Sequence, residues 1–302
     1  MLFDRFGALS RMYIRDVVKA ENCDVNGRFE NVGYRLRERD FVEIYLDLTR
    51  ETAMKPQEIS LNVVYEDDQI LVVDKPAGML SHPTHREKSG TLLNGLTHHL
   101  NRNRIKNTDQ NPFGNGSRQQ TPGRAEMFHS PPLFSFIRPG LVHRLDRETS
   151  GLMVIAATAG AHRKLAGQFQ RKLVTKRYFA LVSGTVSGEA GGISAPIGRI
   201  AEEKRWTVIG SGKYAETRWR VIGRFADSTL LELEPITGRT NQLRIHCAHI
   251  GHPIVGDESR GGRSFTRLCL HSGYLRFRHP ASNDFMEFNS DSVLPVFKSG
   301  LP

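Results

Sequence analysis

Cysteine is scarce in this chain: Cys23, Cys247 and Cys269 are the only three in 302 residues. None belongs to a C-x-x-C pair and they lie far apart, which argues against a disulfide framework and against a structural zinc site. Reduced thiols in the cytosol are the expectation. Long apolar runs are missing too. No stretch approaches the ~18 apolar residues of a membrane helix. The N-terminal MLFDRFGALSRMYI is broken by Asp4, Arg5 and Arg11 before a signal sequence can form. A cytoplasmic protein with no membrane partner is therefore expected, and no internal repeat is visible. Acidic side chains are in deficit, 32 Asp+Glu against 42 Lys+Arg, for a formal net charge of +10. That balance favours a polyanionic partner, nucleic acid ahead of an anionic membrane surface. Hydrophobic residues make up 38%, enough for a sizeable core, and the length allows one large domain plus a small one.

The most informative stretch is His143-Arg144-Leu145-Asp146-Arg147-Glu148-Thr149-Ser150-Gly151-Leu152. One carboxylate, Asp146, lies among two arginines and a histidine, just ahead of a turn and the apolar run Leu152–Ala157. Flanking cations favour the ionised carboxylate, so Asp146 reads as a nucleophile or base rather than an acid. The same cations can grip a phosphodiester backbone. His143 and Asp146 lack a third partner at ligand spacing, so His143 reads as a hydrogen-bonding scaffold and not a metal ligand.

HRLDRETSGL resembles the signature of the RluA-type pseudouridine synthases, RNA enzymes that detach a uracil from its ribose and rejoin it through carbon. Two further segments follow in the family's order. Lys176-Arg177-Tyr178-Phe179-Ala180-Leu181-Val182 is similar to the second family motif, and the run from Thr237 through Arg239, Asn241, Arg244 and His246 to Asp257 is similar to the third. Val64-Tyr65-Glu66-Asp67-Asp68 and Ile70-Leu71-Val72-Val73-Asp74-Lys75-Pro76-Ala77-Gly78 resemble the family's opening segment, where Lys75 reads as structural or as a phosphate contact. The resemblance covers about 60–295. It implies that Asp146 is the essential catalytic residue, that Tyr178 lies against the target uracil, and that Arg244 pairs with Asp146 through a bidentate fork. Arg144, Arg147, Lys176, Arg239 and Asn241 become candidate RNA contacts. The reaction is an isomerisation with no redox change, so no cofactor is expected. His246, His249 and His252 suit a helix face only loosely, so no metal is expected either. The sequence leaves open whether Asp146 attacks the sugar, attacks the ring, or takes a sugar proton. Two departures stand out. Asn241 replaces a histidine usual in the family, and Glu258-Ser259-Arg260-Gly261 replaces a Leu-Tyr-Gly-like segment, which puts that loop's role in doubt.

The expected fold is α+β: a pseudouridine-synthase-type catalytic domain over 57–298, with a mixed, largely antiparallel sheet and flanking helices. Strands are expected at Leu152–Ala157, Tyr178–Val182, Thr217–Val221 and Leu230–Leu233, with a helical stretch near 160–172. Residues 1–50 read as a small α/β module. Ser10 caps a helix to about Ala20, with Tyr13, Val17 and Val18 on one face; a strand then runs into the Asn26-Gly27 turn, and Phe41–Leu46 forms another. This module resembles the S-four-type RNA-binding module. It holds nine basic and nine acidic residues, so RNA contact requires a segregated face, drawn from Arg11, Arg15, Lys19, Arg35, Arg37 and Arg39. Residues 101–137 read as a basic, irregular insertion, rich in Asn, Gly, Ser and Pro. The expected partner is structured RNA, ribosomal or transfer, with no DNA, and the protein is expected to be a monomer. A non-catalytic RNA-binding protein and a metal-dependent nuclease are the alternatives. An Asp146→Asn variant that leaves cellular function unchanged would favour the first, and activity sensitive to chelators the second.

Overall fold

The computed structural model describes residues 11–46, 55–109, 137–203, 205–290 and Phe297. The chain forms two compact units, one of 1–58 with 96–138 and one of 59–95 with 139–302.

In the first unit, helix α1 (Arg11–Lys19) precedes a three-stranded antiparallel sheet of β1 (Cys23–Val25), β2 (Arg28–Phe29) and β3 (Val42–Ile44), in the order β2-β1-β3. The helix buries Ile14 and Val17, one turn apart on its inner face. Asn26 (φ 55°) and Gly27 (φ 75°) both take left-handed backbone, the geometry a two-residue hairpin needs to match strand twist. Asp24 fixes that turn by accepting the Gly27 N–H at 3.0 Å. Arg15, Arg35, Arg37, Arg39 and Lys19 are exposed. Arg11 lies on α1, but its side chain, like the expected cap at Ser10, is outside the described residues. The second helix, α2, runs Leu92–Asp109, so 101–109 are helical where an irregular insertion was expected; 110–136 lie outside the described residues. Asn101 explains how a polar stretch is retained there. Its amide donates to the carbonyls of Thr97 at 2.7 Å and Ile137 at 2.8 Å, and its oxygen accepts the Ile137 N–H at 2.7 Å.

The second unit is built on a ten-stranded sheet. Its elements are β4 (Asn62–Glu66), β5 (Ile70–Lys75), β6 (Gly140–Leu141), β7 (Ser150–Ala156), helix α3 (Ala159–Gln170), β8 (Thr175–Ser183), β9 (Ala190–Ser194), the hairpin β10 (Ile197–Ile200) and β11 (Arg205–Val208), β12 (Glu216–Arg224), β13 (Ser228–Pro235), helix α4 (Gln242–His249), β14 (Leu270–Arg278) and β15 (Phe285–Asn289). The strand order is β4-β5-β7-β14-β8-β13-β12-β9, with β15 on β14 and β6 on β7. The pairings are antiparallel except β7 with β14, so the sheet is mixed and largely antiparallel, as the sequence indicated. The β4–β5 turn forms because Asp67 accepts the N–H groups of Gln69 and Ile70, both at 2.8 Å. Strands β5 and β7 are central and covered on both faces, which is why they read as unbroken apolar runs. Ile70, Val72, Leu152 and Val154 pack with Leu165 of α3 and with Leu275 and Phe277 of β14. Each such side chain contributes roughly 1.5–3 kcal/mol on burial, so this part of the unit is a rigid platform.

Candidate active site

Asp146 lies in the loop between β6 and β7, and the neighbours of that loop hold it at both sides. Ser81 donates its hydroxyl to the Leu145 carbonyl at 2.8 Å and receives the Leu145 N–H at 3.2 Å. On the other side the Lys75 ammonium donates to the carbonyls of Pro76, Met79 and Arg147 at 2.8, 2.8 and 3.1 Å. Gly78 adds an N–H to the same Arg147 carbonyl. Lys75 is fully buried, and its three N–H groups meet three carbonyls, so it is a structural lysine and not a phosphate contact. Burial pulls its pKa down to about 8, against the opposing pull of Glu148 and Asp146. His143 accepts the Val154 N–H on Nε2 at 3.0 Å and stacks on Phe169, so it acts as scaffold. Burial, with help from the Lys176 charge, pushes its pKa to about 3, leaving the neutral acceptor.

Strand register brings Tyr178 to the same place. Tyr178 on β8 faces Ser272 on β14, and Ser272 in turn pairs with Gly151 on β7. Gly151 takes φ 118°, and a Cβ there would overlap the Ser272 backbone. Only glycine permits that close approach, which draws Gly151, the second residue of β7, against the strand beside Tyr178. Tyr178 is buried, and that burial raises its phenol to about 12; the Ser272 hydroxyl opposes the shift and the Asp146 charge adds to it.

The third segment turns into α4. Gln242 ties the turn down: its oxygen accepts from Thr237 Oγ1 at 2.7 Å and the Arg239 N–H at 3.0 Å, and its amide donates to the Glu216 carbonyl and Thr217 Oγ1. Asn241 caps the helix in left-handed backbone, φ 54° and ψ 23°, a conformation asparagine tolerates better than most residues. Histidines 246 and 252 are held by the fold. His246 bonds Thr217 Oγ1 and the Ala195 carbonyl, and His252 the Ser183 carbonyl. Among the described residues no group of three His, Cys, Asp or Glu is placed to hold a metal ion.

These pieces line one open cleft of about 750 Å³. Arg144, Asp146, Lys176, Tyr178, Arg239, Asn241 and Arg244 all face it. Its charged lining is Arg144, Lys172, Lys176, Arg239 and Arg244 against Asp146 and Glu234, so the cleft is basic on balance. Such a cleft suits a polyanion that presents one reactive group. Arg147 is not part of the lining; it is exposed and paired with Glu87.

The description "RNA pseudouridylate synthase" matches residues 69–249. This chain belongs to that family. It is 36% identical over 285 residues to an uncharacterized RNA pseudouridine synthase, YlyB, of Bacillus subtilis, covering 93% of this chain and 85% of that protein. It is 36% identical over 288 residues to the ribosomal large subunit pseudouridine synthase D of Pseudomonas aeruginosa, covering 88% and 80%. Among solved structures, human RNA pseudouridylate synthase domain containing 1 superposes with a TM-score of 0.56 at 26% identity, covering 83% of this chain and 89% of that one. The protein is therefore an RNA pseudouridine synthase, an isomerase with the family's fold.

Two expectations about the synthase's site are corrected by its geometry. Arg244 does not fork Asp146. Its Nε and Nη2 donate to the two carboxylate oxygens of Asp257 at 2.7 and 2.8 Å, and it acts on Asp146 only through its charge. Asp257 is the better partner because its side chain is 1% exposed and has no water to replace a guanidinium. The pKa of Asp146 is raised, not lowered. Burial outweighs the opposing charges of Arg244, Arg144, Lys75 and Arg260, in that order. Asp257, Ser81 and Arg260 were not singled out as site residues from the sequence. The one signal available was that Asp257 closes the third motif, thirteen positions after Arg244.

Proposed function

We propose that this synthase isomerises uridines in ribosomal RNA, with Asp146 as the essential catalytic residue. The observation that carries the reading is the basic cleft that gathers Asp146, Tyr178 and basic side chains of three separate sequence segments, Arg144, Lys176, and Arg239 with Arg244. The reaction breaks the bond between N1 of the uracil and C1′ of the ribose. The freed base turns, C5 bonds to C1′, the proton on C5 leaves and N1 takes up a proton, so that the product is an isomer of the substrate. The target uridine has to leave its stack to reach a side chain at the floor of a cleft. Asp146 acts at the sugar or the ring, or removes a sugar proton. Tyr178 packs its ring on the uracil and presents a protonated hydroxyl to it. Arg144, Lys176 and Arg239 hold the flanking phosphates and Asn241 the turn beside them. Arg244 is a positioning residue, since its fork holds Asp257.

The choice of ribosomal over transfer RNA rests on relatives such as the Pseudomonas protein, whose name specifies the large ribosomal subunit. The N-terminal module contributes RNA affinity through Arg15 and Arg37, with Arg11 on the same helix as Arg15, and the synthase works as a cytoplasmic monomer. The test is tritium release from ribosomal and transfer RNA labelled at C5 of uridine, comparing wild type with Asp146→Asn. Release from ribosomal RNA by the wild type alone is the expected result. Release from transfer RNA only would overturn the substrate, and release by the Asn variant would overturn the role of Asp146.

A further inference from the structure

Asp257 is a buried carboxylate with more than one cation beside it. Arg244 holds both of its oxygens, and Ser259 Oγ donates to Oδ1 at 2.7 Å. Arg260 stands behind them. Its Nε is 3.8 Å from Asp257 Oδ2, too far for a hydrogen bond, and that buried nitrogen has no hydrogen-bond partner among the described residues. The Arg260 side chain is 11% exposed and is anchored at its other end, where Nη1 donates to the Trp206 carbonyl of β11 at 3.2 Å. A buried guanidinium nitrogen at ion-pair but not hydrogen-bond distance from an already forked carboxylate stands ready to bond it once the fork leaves.

We infer that Arg260 is a positioning residue that takes over Asp257 when RNA enters, releasing the Arg244 fork to turn toward Asp146. The inference rests on the synthase reading above. The logic is one of partners. Asp146 and Asp257 share the field of Arg244, and Arg244 can fork only one of them at a time. Without a substitute, turning Arg244 away would leave Asp257 buried and unpaired. Arg260 needs only to close the gap between 3.8 Å and hydrogen-bond distance, while its anchor on Trp206 keeps it in place. The arrangement with Arg244 on Asp257 is then the resting state, and the arrangement with Arg260 on Asp257 the working one. The groups that face Asp146 in this scheme are Arg244, Arg144, Lys75 and Arg260.

The experiment measures tritium release from C5-labelled ribosomal RNA by wild type, Arg260→Ala, Arg260→Lys, Asp257→Asn and the Arg260→Ala/Asp257→Asn double variant. Thermal unfolding confirms the folded fraction of each. Arg260→Ala is expected to lower kcat about tenfold with KM within about threefold, and to move the acid limb of the kcat profile to higher pH. Arg260→Lys restores the acid limb, because the charge returns, and part of kcat. In the Asp257→Asn background Arg260→Ala has no further effect on kcat, because no buried carboxylate then competes for Arg244. Wild-type kcat and an unmoved acid limb in folded Arg260→Ala would overturn the inference alone, as would fully additive effects in the double variant. Absence of release by the wild type would overturn the synthase reading and this inference with it.

Discussion

Arg244→Ala should damage the fold as well as the chemistry, and the size of the damage follows from the geometry. Removing one member of a buried ion pair typically costs about 3–5 kcal/mol, because the other charge is left stranded. Asp257 is such a charge, with a side chain 1% exposed. Two features reduce the cost. The Arg244 side chain is 18% exposed, so water reaches the space it vacates. Ser259 Oγ still donates to Asp257, and Arg260 lies 3.8 Å away as a substitute. The expected loss is therefore about 2 kcal/mol. For a domain of this size that corresponds to roughly 4–8 °C in Tm. Urea unfolding of the purified protein reads the free energy, and tritium release reads the chemistry. The double variant Arg244→Leu/Asp257→Asn removes both charges and should regain most of the stability while remaining as inactive as the single variant. If Arg244→Ala unfolds within about 0.5 kcal/mol of wild type, the fork on Asp257 does not exist in solution and the assignment of Arg244 returns to Asp146.

Three further outcomes are expected. Asp146→Asn should abolish turnover without loss of stability. The folded-state pKa of Asp146 is raised by burial, so the folded protein holds that proton more tightly than the unfolded chain and stability falls as pH rises through the folded value; a clearly lower Tm for the Asn variant at neutral pH would contradict this. The same shift places the acid limb of kcat/KM, which reports the free enzyme, above the ordinary aspartate range, whereas the Tyr178 phenol, at about 12, adds no basic limb at working pH. Tyr178→Phe keeps the ring, so it should retain RNA affinity in a filter-binding assay and lose kcat by on the order of 10², and kcat near wild type would take the hydroxyl out of the reaction. Gly151→Ala should cost roughly 3 kcal/mol or more by urea unfolding, because its Cβ would overlap Ser272 and its φ of 118° strains any L side chain; an unchanged midpoint would show that β7 and β14 do not meet there.

Much of the fold was legible because its central strands are local statements. Strands β5 and β7 are covered on both faces, so their burial is written as unbroken apolar runs, and the acidic turn before β5 is written in Asp67, which accepts two of its own neighbours' N–H groups. Strand β9 and the hairpin β10–β11 were not legible. Residues 190–194 are mostly exposed and include two glycines, and β10 depends on a distant segment: Ile197 and Lys213 exchange N–H bonds, both at 2.9 Å, and Gly198 packs against Gly212. The extension of α2 through 101–109 was hidden for a similar reason. Nothing in its polar sequence repeats at helical period, and Asn101 ties it to Ile137, 36 positions away.

The site divides the same way, between residue identity and pairing. The sequence carries Asp146, Tyr178 and Arg244 as three motifs, and the fold does bring all three to one cleft. It does not carry which carboxylate an arginine prefers, because that preference is a difference in burial. Around Asp146 the local cations suggested a lowered pKa, yet burial acts on the charged form more strongly than those cations do, since Arg144 is exposed and Arg244 is held elsewhere. Around Asp257 the balance reverses. Its side chain is buried too, but hydrogen bonds from Arg244 and Ser259 bring its pKa below the ordinary value despite that burial. The two aspartates thus share one set of arginines and lie on opposite sides of the ordinary pKa. The direct hydrogen bonds of Arg244 and Ser259 reach Asp257, while among the described residues the cations around Asp146 act on it through their charge. On the proposed scheme the resting site leaves Asp146 without a direct hydrogen-bonded cation and keeps Asp257 satisfied, and anything that moves the Arg244 fork from one to the other changes the state of Asp146 without moving Asp146 itself.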